Sequence, residues 1–221
     1  MIKILINGGG SSLYDKIAHN YGWQIGMNSG GNTKEKQPLF MIDNNWLNYD
    51  HEKHLNLIKK HRPHLATLRD IESYIDQQIL YKQALEISRY CDRLIIIPKC
   101  NITNDKLLKI PNSILGLPVG PHENLFAWEY AKVLNKKIHL LGGSPKKWKN
   151  AIEILGEKKI YSMDGNYLCK LSKWGKIYLN FSTRKPYSFE VSNGKNFNYR
   201  CFEFSIKNLE FKPMNKQLSL F

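Results

Sequence analysis

The chain has 221 residues, of which 42% are apolar and 24% are charged, and its mean hydropathy is -0.45. This length allows one compact domain and is too short for two full enzyme domains. No run of about 18 apolar residues occurs, which excludes a spanning helix. The opening residues MIKILINGGG lack the pattern of a signal peptide. We therefore expect a cytoplasmic protein with no membrane partner.

Basic residues outnumber acidic ones by 33 to 19, which gives a formal net charge of +14. Residues 145–221 hold 15 basic and 6 acidic residues, so +9 of that charge lies in the last third of the chain. Lysine supplies 27 of the 33 basic residues, a bias that an AT-rich coding sequence also produces. The charge predicts a polyanionic partner, and a nucleic acid is the expected one.

Eight short apolar runs predict strands. They are KILING (3–8), LFMIDN (39–44), HLATLRD (64–70), RLIIIPK (93–99), ILGLPVG (114–120), KIHLLGG (137–143), KIYSMDG (159–165) and KIYLNF (176–181). Between them, helices are predicted most clearly over 72–90, 122–134 and 145–155, the last with Ser144 as N-cap. This alternation also fits an open doubly wound sheet, but eight strands favour an α/β fold of the compact (β/α)8 barrel type.

Residues 183–221 break the alternation. The segments PYSFEVS (186–192) and NFNYRCFEF (196–204) flank Asn193 and Gly194, a two-residue turn signal that predicts a hairpin. We predict a barrel domain over 1–182, a hairpin extension over 183–212 and a flexible tail over 213–221. The four cysteines, at 91, 100, 169 and 201, have neither zinc-site nor disulfide spacing, so we expect them reduced and mostly buried.

The chemistry of a (β/α)8 barrel lies at the carboxyl ends of its strands. Three of the eight aspartates end an apolar run, namely Asp43, Asp70 and Asp164. Aspartate disfavours strands, so each marks either a turn or N-cap residue or a catalytic group. The other residues at predicted strand ends are Asn7, Gly8, Lys99, Gly116 to Gly120, Gly142 and Gly143.

Four segments in register carry a resemblance to a known family. FMIDNNW (40–46), ILGLPVG (114–120), HLLGGSPKKW (139–148) and IYSMDGN (160–166) resemble, in this order, segments of the tRNA-guanine transglycosylases. The resemblance covers about 130 residues of the barrel and implies base exchange by double displacement, the reaction of a pentosyltransferase. Cleavage of a glycosidic bond through an oxocarbenium-like state needs one ionised carboxylate and one acid.

The resemblance also implies roles for individual residues. Asp164 would attack C1′ of a guanine nucleotide, and Asp43 would give a proton to the departing guanine before a 7-deazaguanine attacks the covalent intermediate. The base-binding positions that it implies are Asp70, His64, Lys99, Gly116, Leu117, Gly142 and Gly143.

The chain departs from that family in ways that change the expected substrate. Asn44, Asn45 and Trp46 stand where the family has Ser-Gly-Gly-Phe, and the zinc site and the long tRNA-docking insertion are missing. A barrel without these parts resembles the DNA-modifying branch, the 7-deazaguanine DNA transglycosylases of bacteria and phages. This implies exchange of guanine for a preQ0-like 7-deazaguanine in DNA, with no zinc or other cofactor.

A guanine in duplex DNA must be flipped into the barrel mouth, which costs about a few kcal/mol that phosphate contacts have to offset. The predicted contact residues are Arg184, Lys185, Lys195 and Arg200. The same four residues also fit a solvated basic surface.

The last five residues, QLSLF (217–221), resemble the peptide by which bacterial replication and repair proteins bind the sliding clamp. Leu218, Leu220 and Phe221 would enter an apolar pocket and Gln217 would fix the register, with a dissociation constant of about micromolar order. A tail folded back onto the barrel is the alternative. The expected partners are therefore DNA, a 7-deazaguanine base and a bacterial or phage clamp.

Three other functions stay open at this point. The chain could be an enzyme of the tRNA-guanine transglycosylase type, or a nucleotide-binding α/β hydrolase that uses Gly8 to Gly10 as a phosphate loop. It could also be a catalytically inactive accessory protein that binds DNA.

Overall fold

The computed structural model describes residues 1–7, 13–30, 38–103, 105–120, 124–179, 187–188 and 195–209. The chain divides into two compact units, Met1–Tyr167 and Leu168–Phe221. None of the helices in the described ranges has both the length and the apolar composition needed to span a bilayer.

The first unit contains a closed barrel of eight parallel strands, in which each strand pairs with the next and the eighth pairs with the first. The strands are β1 (Ile2–Asn7), β2 (Gln24–Asn28), β3 (Met41–Asp43), β4 (Leu65–Thr67), β5 (Arg93–Ile96), β6 (Ser113–Pro118), β7 (Ile138–Leu141) and β8 (Ile160–Gly165). Parallel neighbours require crossover connections, and the predicted (β/α)8 barrel is confirmed.

Helices follow seven of the eight barrel strands within the described ranges. They are α1 (Leu13–Asn20), α2 (His51–His61), α3 (Gln77–Ile87), α4 (Asp105–Leu108), α5 (Leu125–Val133), α6 (Pro145–Leu155) and α7 (Tyr167–Lys173). Helix α6 has the predicted bounds, with Ser144 at its N-cap and Pro145 in its first turn, where the missing N–H of proline costs no hydrogen bond.

Strand β2 is absent from the predicted set. Its sequence, QIGMN, has a single β-branched residue and a central glycine, so it gives little strand signal. Gly26 leaves room for its neighbours there, because a Cβ atom would lie 2.4 Å from Ile6 Cδ1 and 3.1 Å from the Met41 carbonyl oxygen.

The predicted eighth strand is also wrong. Of the described residues 176–179, Lys176–Ile177 forms a strand, β9, which belongs to the second unit. The predicted number of barrel strands is therefore correct, but β2 takes the place of the run predicted at residues 176–181. Asp43 ends the third barrel strand rather than the second, and Asp164 lies on the eighth rather than the seventh.

The barrel interior is filled by alternate residues of the strands. Six apolar side chains form its buried core, namely Ile4, Met41, Leu65, Ile95, Ile97 and Ile114. Successive side chains of a strand point to opposite faces, so Asp43 and Thr67 face the same interior, two residues beyond Met41 and Leu65. The interior is thus apolar in its core and polar towards the carboxyl ends.

The second unit differs from the hairpin predicted for it. Strand β10 (Tyr187–Ser188) does pair antiparallel with β9, but residues Lys195–Asn208 form a helix, α8, where the second hairpin strand was predicted. Within this unit, Ser205 Oγ accepts a hydrogen bond of 2.9 Å from the Tyr178 amide and donates one to the Cys201 carbonyl. The two compact units divide at residue 167, whereas the sequence predicts a boundary at residue 182, and residues 210–221 lie outside the described ranges.

Candidate active site

Two carboxylates lie at the carboxyl ends of barrel strands and face the barrel interior. Asp43 is level with Asn28 of β2, and Asp164 is level with Ile4 of β1. Only β1 and β2 separate their strands around the barrel. The charge of Asp164 contributes to the raised pKa of Asp43, so the two groups lie within electrostatic reach of each other.

Asp43 is partly buried and is held by the neighbouring strand. Thr67 Oγ1 donates a hydrogen bond of 3.1 Å to Asp43 Oδ1. Thr67 Oγ1 also accepts a hydrogen bond of 2.7 Å from the Asn44 amide. Burial and, after it, the charges of Asp164 and Asp70 raise the pKa of Asp43, the hydrogen bonds with Thr67 and the Asn44 backbone lower it, and the net result is a rise from 3.8 to about 8. Asp43 is therefore mostly protonated at neutral pH and can act as an acid.

Thr67 is fixed from behind by helix α2. His54 Nε2 donates a hydrogen bond of 2.8 Å to the Thr67 carbonyl, and burial lowers the pKa of His54 to about 4. Asn44 Nδ2 donates a hydrogen bond of 2.7 Å to the Leu68 carbonyl. These contacts lock the ends of β3 and β4 together, which fixes the position of the Asp43 carboxyl group.

Asp164 is buried and is held by the loop after β7. The Gly142 amide donates a hydrogen bond of 2.6 Å to Asp164 Oδ1, and Trp148 Nε1 of α6 donates one to the Gly142 carbonyl. Gly142 and Gly143 have φ values of +63° and +84°, a region that glycine enters without steric cost. The two predicted base-binding glycines thus shape the loop that orients Asp164.

Two further polar residues of the barrel interior were not predicted. His139 of β7 and Ser162 of β8 are fully buried, and His139 Nδ1 lies 2.7 Å from Ser162 Oγ. His139 Nε2 lies 3.7 Å from Asp164 Oδ2. The sequence does hold a signal for their inward orientation. His139 stands two residues before Leu141, and Ser162 stands two residues before Asp164, and residues two apart on a strand share a face.

An ion pair stands at the mouth beside these groups. Lys99 Nζ lies 2.6 Å from Asp70 Oδ2 and 3.5 Å from Glu72 Oε1. Burial lowers the pKa of Lys99, but its partners Asp70 and Glu72 outweigh this effect and the net direction is upward. Lys99 Nζ also lies 5.7 Å from the ring of Trp46, which is half exposed. The charge of Asp70 contributes to the raised pKa of Asp43, so this ion pair lies within electrostatic reach of Asp43.

A polar pocket of about 470 Å³ opens beside β3. Ser29, Asn45, Asn48 and Lys53 are among its lining residues, and the Ser29 amide donates a hydrogen bond of 2.8 Å to the Asp43 carbonyl. A polar space therefore adjoins the backbone of the Asp43 strand.

The predicted role of His64 is wrong, because this residue lies at the opposite end of the barrel. His64 precedes β4, and its ring contacts Asp92, which precedes β5, and Tyr161 at the start of β8. All three residues mark the amino ends of strands. A base bound at Asp43 and Asp164, at the carboxyl ends of the strands, would have no contact with that end.

Gly116 and Leu117 of β6 were also predicted to bind the base, and the structure places both in packed surroundings. At Gly116 a Cβ atom would lie 2.6 Å from Ile97 and 2.8 Å from Ile95, so apolar side chains occupy that space. Leu117 is fully buried, and the strand alternation turns it to the outer face of the barrel. Both positions serve the packing of the barrel.

Several predicted residues fall outside what the structure describes. Only the side chains are left undescribed for Asn7 and Lys195. The whole residue is left undescribed for Gly8 to Gly10, Arg184, Lys185 and the tail residues Gln217, Leu218, Leu220 and Phe221. Arg200 is exposed on α8. The four cysteines are free, two of them buried and two partly buried. In the described ranges, no group of three or more His, Cys, Asp or Glu residues is arranged to hold a metal ion.

Comparison with known proteins gives one relationship. No curated protein matches the chain. The profile of a family of unknown function, DUF6610, matches residues 18–211. Because this match spans well over half of the chain, the protein belongs to that family.

Proposed function

We propose that the protein exchanges guanine in DNA for a 7-deazaguanine through a covalent aspartyl-deoxyribosyl intermediate. The observation that carries the proposal is the pairing of two carboxylates at one end of the barrel, one of which, Asp43, has its pKa raised to about 8. A glycosidic bond is cleaved with retention by one ionised carboxylate and one acid. Asp164 and Asp43 match these two requirements.

In the first half of the reaction, an oxygen of Asp164 forms a bond to C1′ of the deoxyribose while the bond from C1′ to N9 of guanine breaks. The electron pair of the broken bond goes to the guanine, which takes the proton of Asp43 and leaves neutral. The loss of the Asp43 proton then leaves a carboxylate beside the ester of Asp164. Because Asp43 protonates the guanine as it leaves, less negative charge develops on the base in the transition state, which lowers the energy barrier.

In the second half, the incoming 7-deazaguanine gives its N9 proton to the Asp43 carboxylate. Its N9 atom then forms the bond to C1′, and the bond from C1′ to Asp164 breaks. The electron pair returns to Asp164 as a carboxylate. Both aspartates therefore end in the protonation states in which they began, as double displacement requires.

The wall formed by Asp70 and Lys99 is suited to hold a purine edge. Asp70 can accept hydrogen bonds from the N–H groups of guanine, and Lys99 can donate to its carbonyl oxygen. The half-exposed ring of Trp46, beside Lys99, offers a stacking face. The same edge groups are present in guanine and in a 7-deazaguanine, so one wall serves both bases.

The choice of a nucleic acid rests on charge, and the choice of DNA over tRNA rests on the QLSLF segment at residues 217–221. The formal charge of +14 favours a polyanion, with Arg184, Lys185, Lys195 and Arg200 as the proposed phosphate contacts. The terminal QLSLF segment resembles a clamp-binding peptide, and a clamp encircles DNA, so tethering would raise the local enzyme concentration there.

The proposal is tested by supplying the full chain with duplex DNA and labelled candidate 7-deazaguanines, followed by nucleoside analysis by mass. We expect label in DNA with the wild type and none with Asp164→Asn. Asp92→Asn is the matched control, since Asp92 is exposed at the opposite end of the barrel. Label incorporated by Asp164→Asn, or label in tRNA but not in DNA, would contradict the proposal.

A further inference from the structure

A buried histidine lies directly beneath the proposed nucleophile. His139 of β7 is paired with Ser162 of β8, at a point where the register between the two strands shifts. Its ring is fully buried, with Nδ1 at 2.7 Å from Ser162 Oγ and Nε2 at 3.7 Å from Asp164 Oδ2. Within the described residues, Nε2 has no hydrogen-bond partner.

The surroundings of the ring distinguish its two neutral forms. A ring with its proton on Nδ1 would donate to Ser162 and would turn the lone pair of Nε2 towards the Asp164 carboxylate. A ring with its proton on Nε2 would accept from the Ser162 hydroxyl and turn an N–H towards that carboxylate. A carboxylate accepts hydrogen bonds and never donates them when ionised, so Asp164 favours the second form.

We propose that His139 is a positioning residue that turns its Nε2 proton towards Asp164 Oδ2, 3.7 Å away in this structure, and donates it there when substrate binding tightens the contact, which orients the nucleophile. This inference rests on the proposed function, in which Asp164 attacks C1′. Together with the Gly142 amide on Oδ1, His139 would supply one donor to each oxygen of the carboxylate. Two donors fix the plane of the carboxylate, and a hydrogen bond between charged and neutral partners is stronger than a neutral one.

The order of the three residues excludes a serine hydrolase at this position. Ser162, His139 and Asp164 are the residue types of a hydrolytic triad, but in a triad the serine faces the substrate. Here Ser162 is fully buried and lies two residues deeper in β8 than Asp164. The chain of contacts therefore ends on the aspartate, and the Ser162 hydroxyl, which can donate or accept, holds the orientation of the histidine ring.

The first test reads the tautomer and needs no substrate. Nitrogen NMR of the full chain with labelled histidine reports which ring nitrogen of His139 carries a proton, and His139→Gln assigns the signal. We expect a proton on Nε2. A proton on Nε2 supports the proposal whether or not Nδ1 also carries one, and a proton on Nδ1 alone overturns it.

The second test reads the exchange reaction with two variants of one residue. His139→Gln keeps an N–H near the position of Nε2, whereas His139→Leu removes it. We expect His139→Leu to lower kcat about ten- to hundredfold with little change in KM, from the loss of one hydrogen bond to a charged group. We expect His139→Gln to stay within about threefold of the wild type on the same scale.

The two tests separate this inference from the proposed function. Equal kcat values for His139→Gln and His139→Leu, whether high or low, would overturn the positioning role. If His139→Leu fails to fold, the tautomer decides alone. If the wild type exchanges no base, the proposed function fails, while the tautomer still decides whether His139 donates to Asp164.

Discussion

Replacing Asp43 by asparagine should stabilise the protein at alkaline pH, because a buried carboxyl group is costly to ionise. Its pKa is raised to about 8 in the folded chain and is 3.8 in an exposed reference group. Between these two values the folded state binds more protons than the unfolded state, so the free energy of unfolding falls as pH rises. Above about pH 8 the loss is complete.

The size of the effect follows from the shift. A rise from 3.8 to about 8 corresponds to roughly 6 kcal/mol as an upper limit, since one pKa unit is about 1.4 kcal/mol. An asparagine has nearly the shape of a protonated aspartate and can still accept the Thr67 hydrogen bond. Each kcal/mol recovered should raise Tm by about 2 to 4 °C in a chain of this length.

Thermal unfolding of the wild type, Asp43→Asn and Asp92→Asn at about pH 5 and about pH 8 measures the effect. We expect Asp43→Asn to gain Tm over the wild type at the higher pH and to lose most of that gain at the lower one. Asp92→Asn controls for the loss of a charge at an exposed position. An Asp43→Asn variant that is no more stable than the wild type at about pH 8 would refute the assignment of Asp43 as a protonated acid.

Three other outcomes follow from the same site. Thr67→Val removes the hydrogen bond that lowers the pKa of Asp43, so the alkaline limb of the pH–rate profile of base exchange should move up by about one unit; a limb that stays or moves down would contradict this. Lys99→Met should raise KM for the 7-deazaguanine about tenfold or more with a smaller change in kcat, measured by steady-state incorporation of label, and an unchanged KM would remove Lys99 from the base wall. Leu220→Ala with Phe221→Ala should abolish binding of the full chain to a bacterial sliding clamp in a pull-down or calorimetric titration, while no binding by the intact chain would end the clamp hypothesis.

The sequence predicts most of the barrel because buried parallel strands are continuous apolar runs that end in polar residues. Asp43 and Asp164 stand at such ends, and the structure brings both to one mouth. The run HLATLRD (64–70) shows the limit of this reasoning, since it spans a whole strand and places His64 and Asp70 at opposite ends of the barrel. Which end a residue occupies depends on where pairing begins, which the apolar pattern does not specify.

The errors have physical causes that can be named. Strand β2 carries a glycine because Ile6 fills the space beside it, and a packing constraint between two strands leaves no local pattern. In the second unit, Cys201, Phe202, Ser205, Ile206 and Leu209 are buried at spacings of three and four residues, which is a helical period. The turn signal at residues 193–194 outweighed that period in the prediction of a hairpin.

His139 and Ser162 escaped prediction for a related reason. Each is a polar residue between two less polar neighbours of its strand, a pattern that an ordinary half-buried strand also shows. Only the closed barrel brings β7 beside β8 and turns both side chains inward beneath Asp164. The role of such residues is a property of the tertiary structure.

The most direct test is capture of the covalent intermediate. The full chain is mixed with guanine-containing DNA without acceptor base, quenched by acid within the first turnover, digested with nuclease and protease, and mapped by mass. We predict a deoxyribosyl adduct on the peptide that contains Asp164, absent from Asp164→Asn and present in Asp92→Asn. Release of guanine with no adduct, or an adduct on another residue, would contradict nucleophilic attack by Asp164.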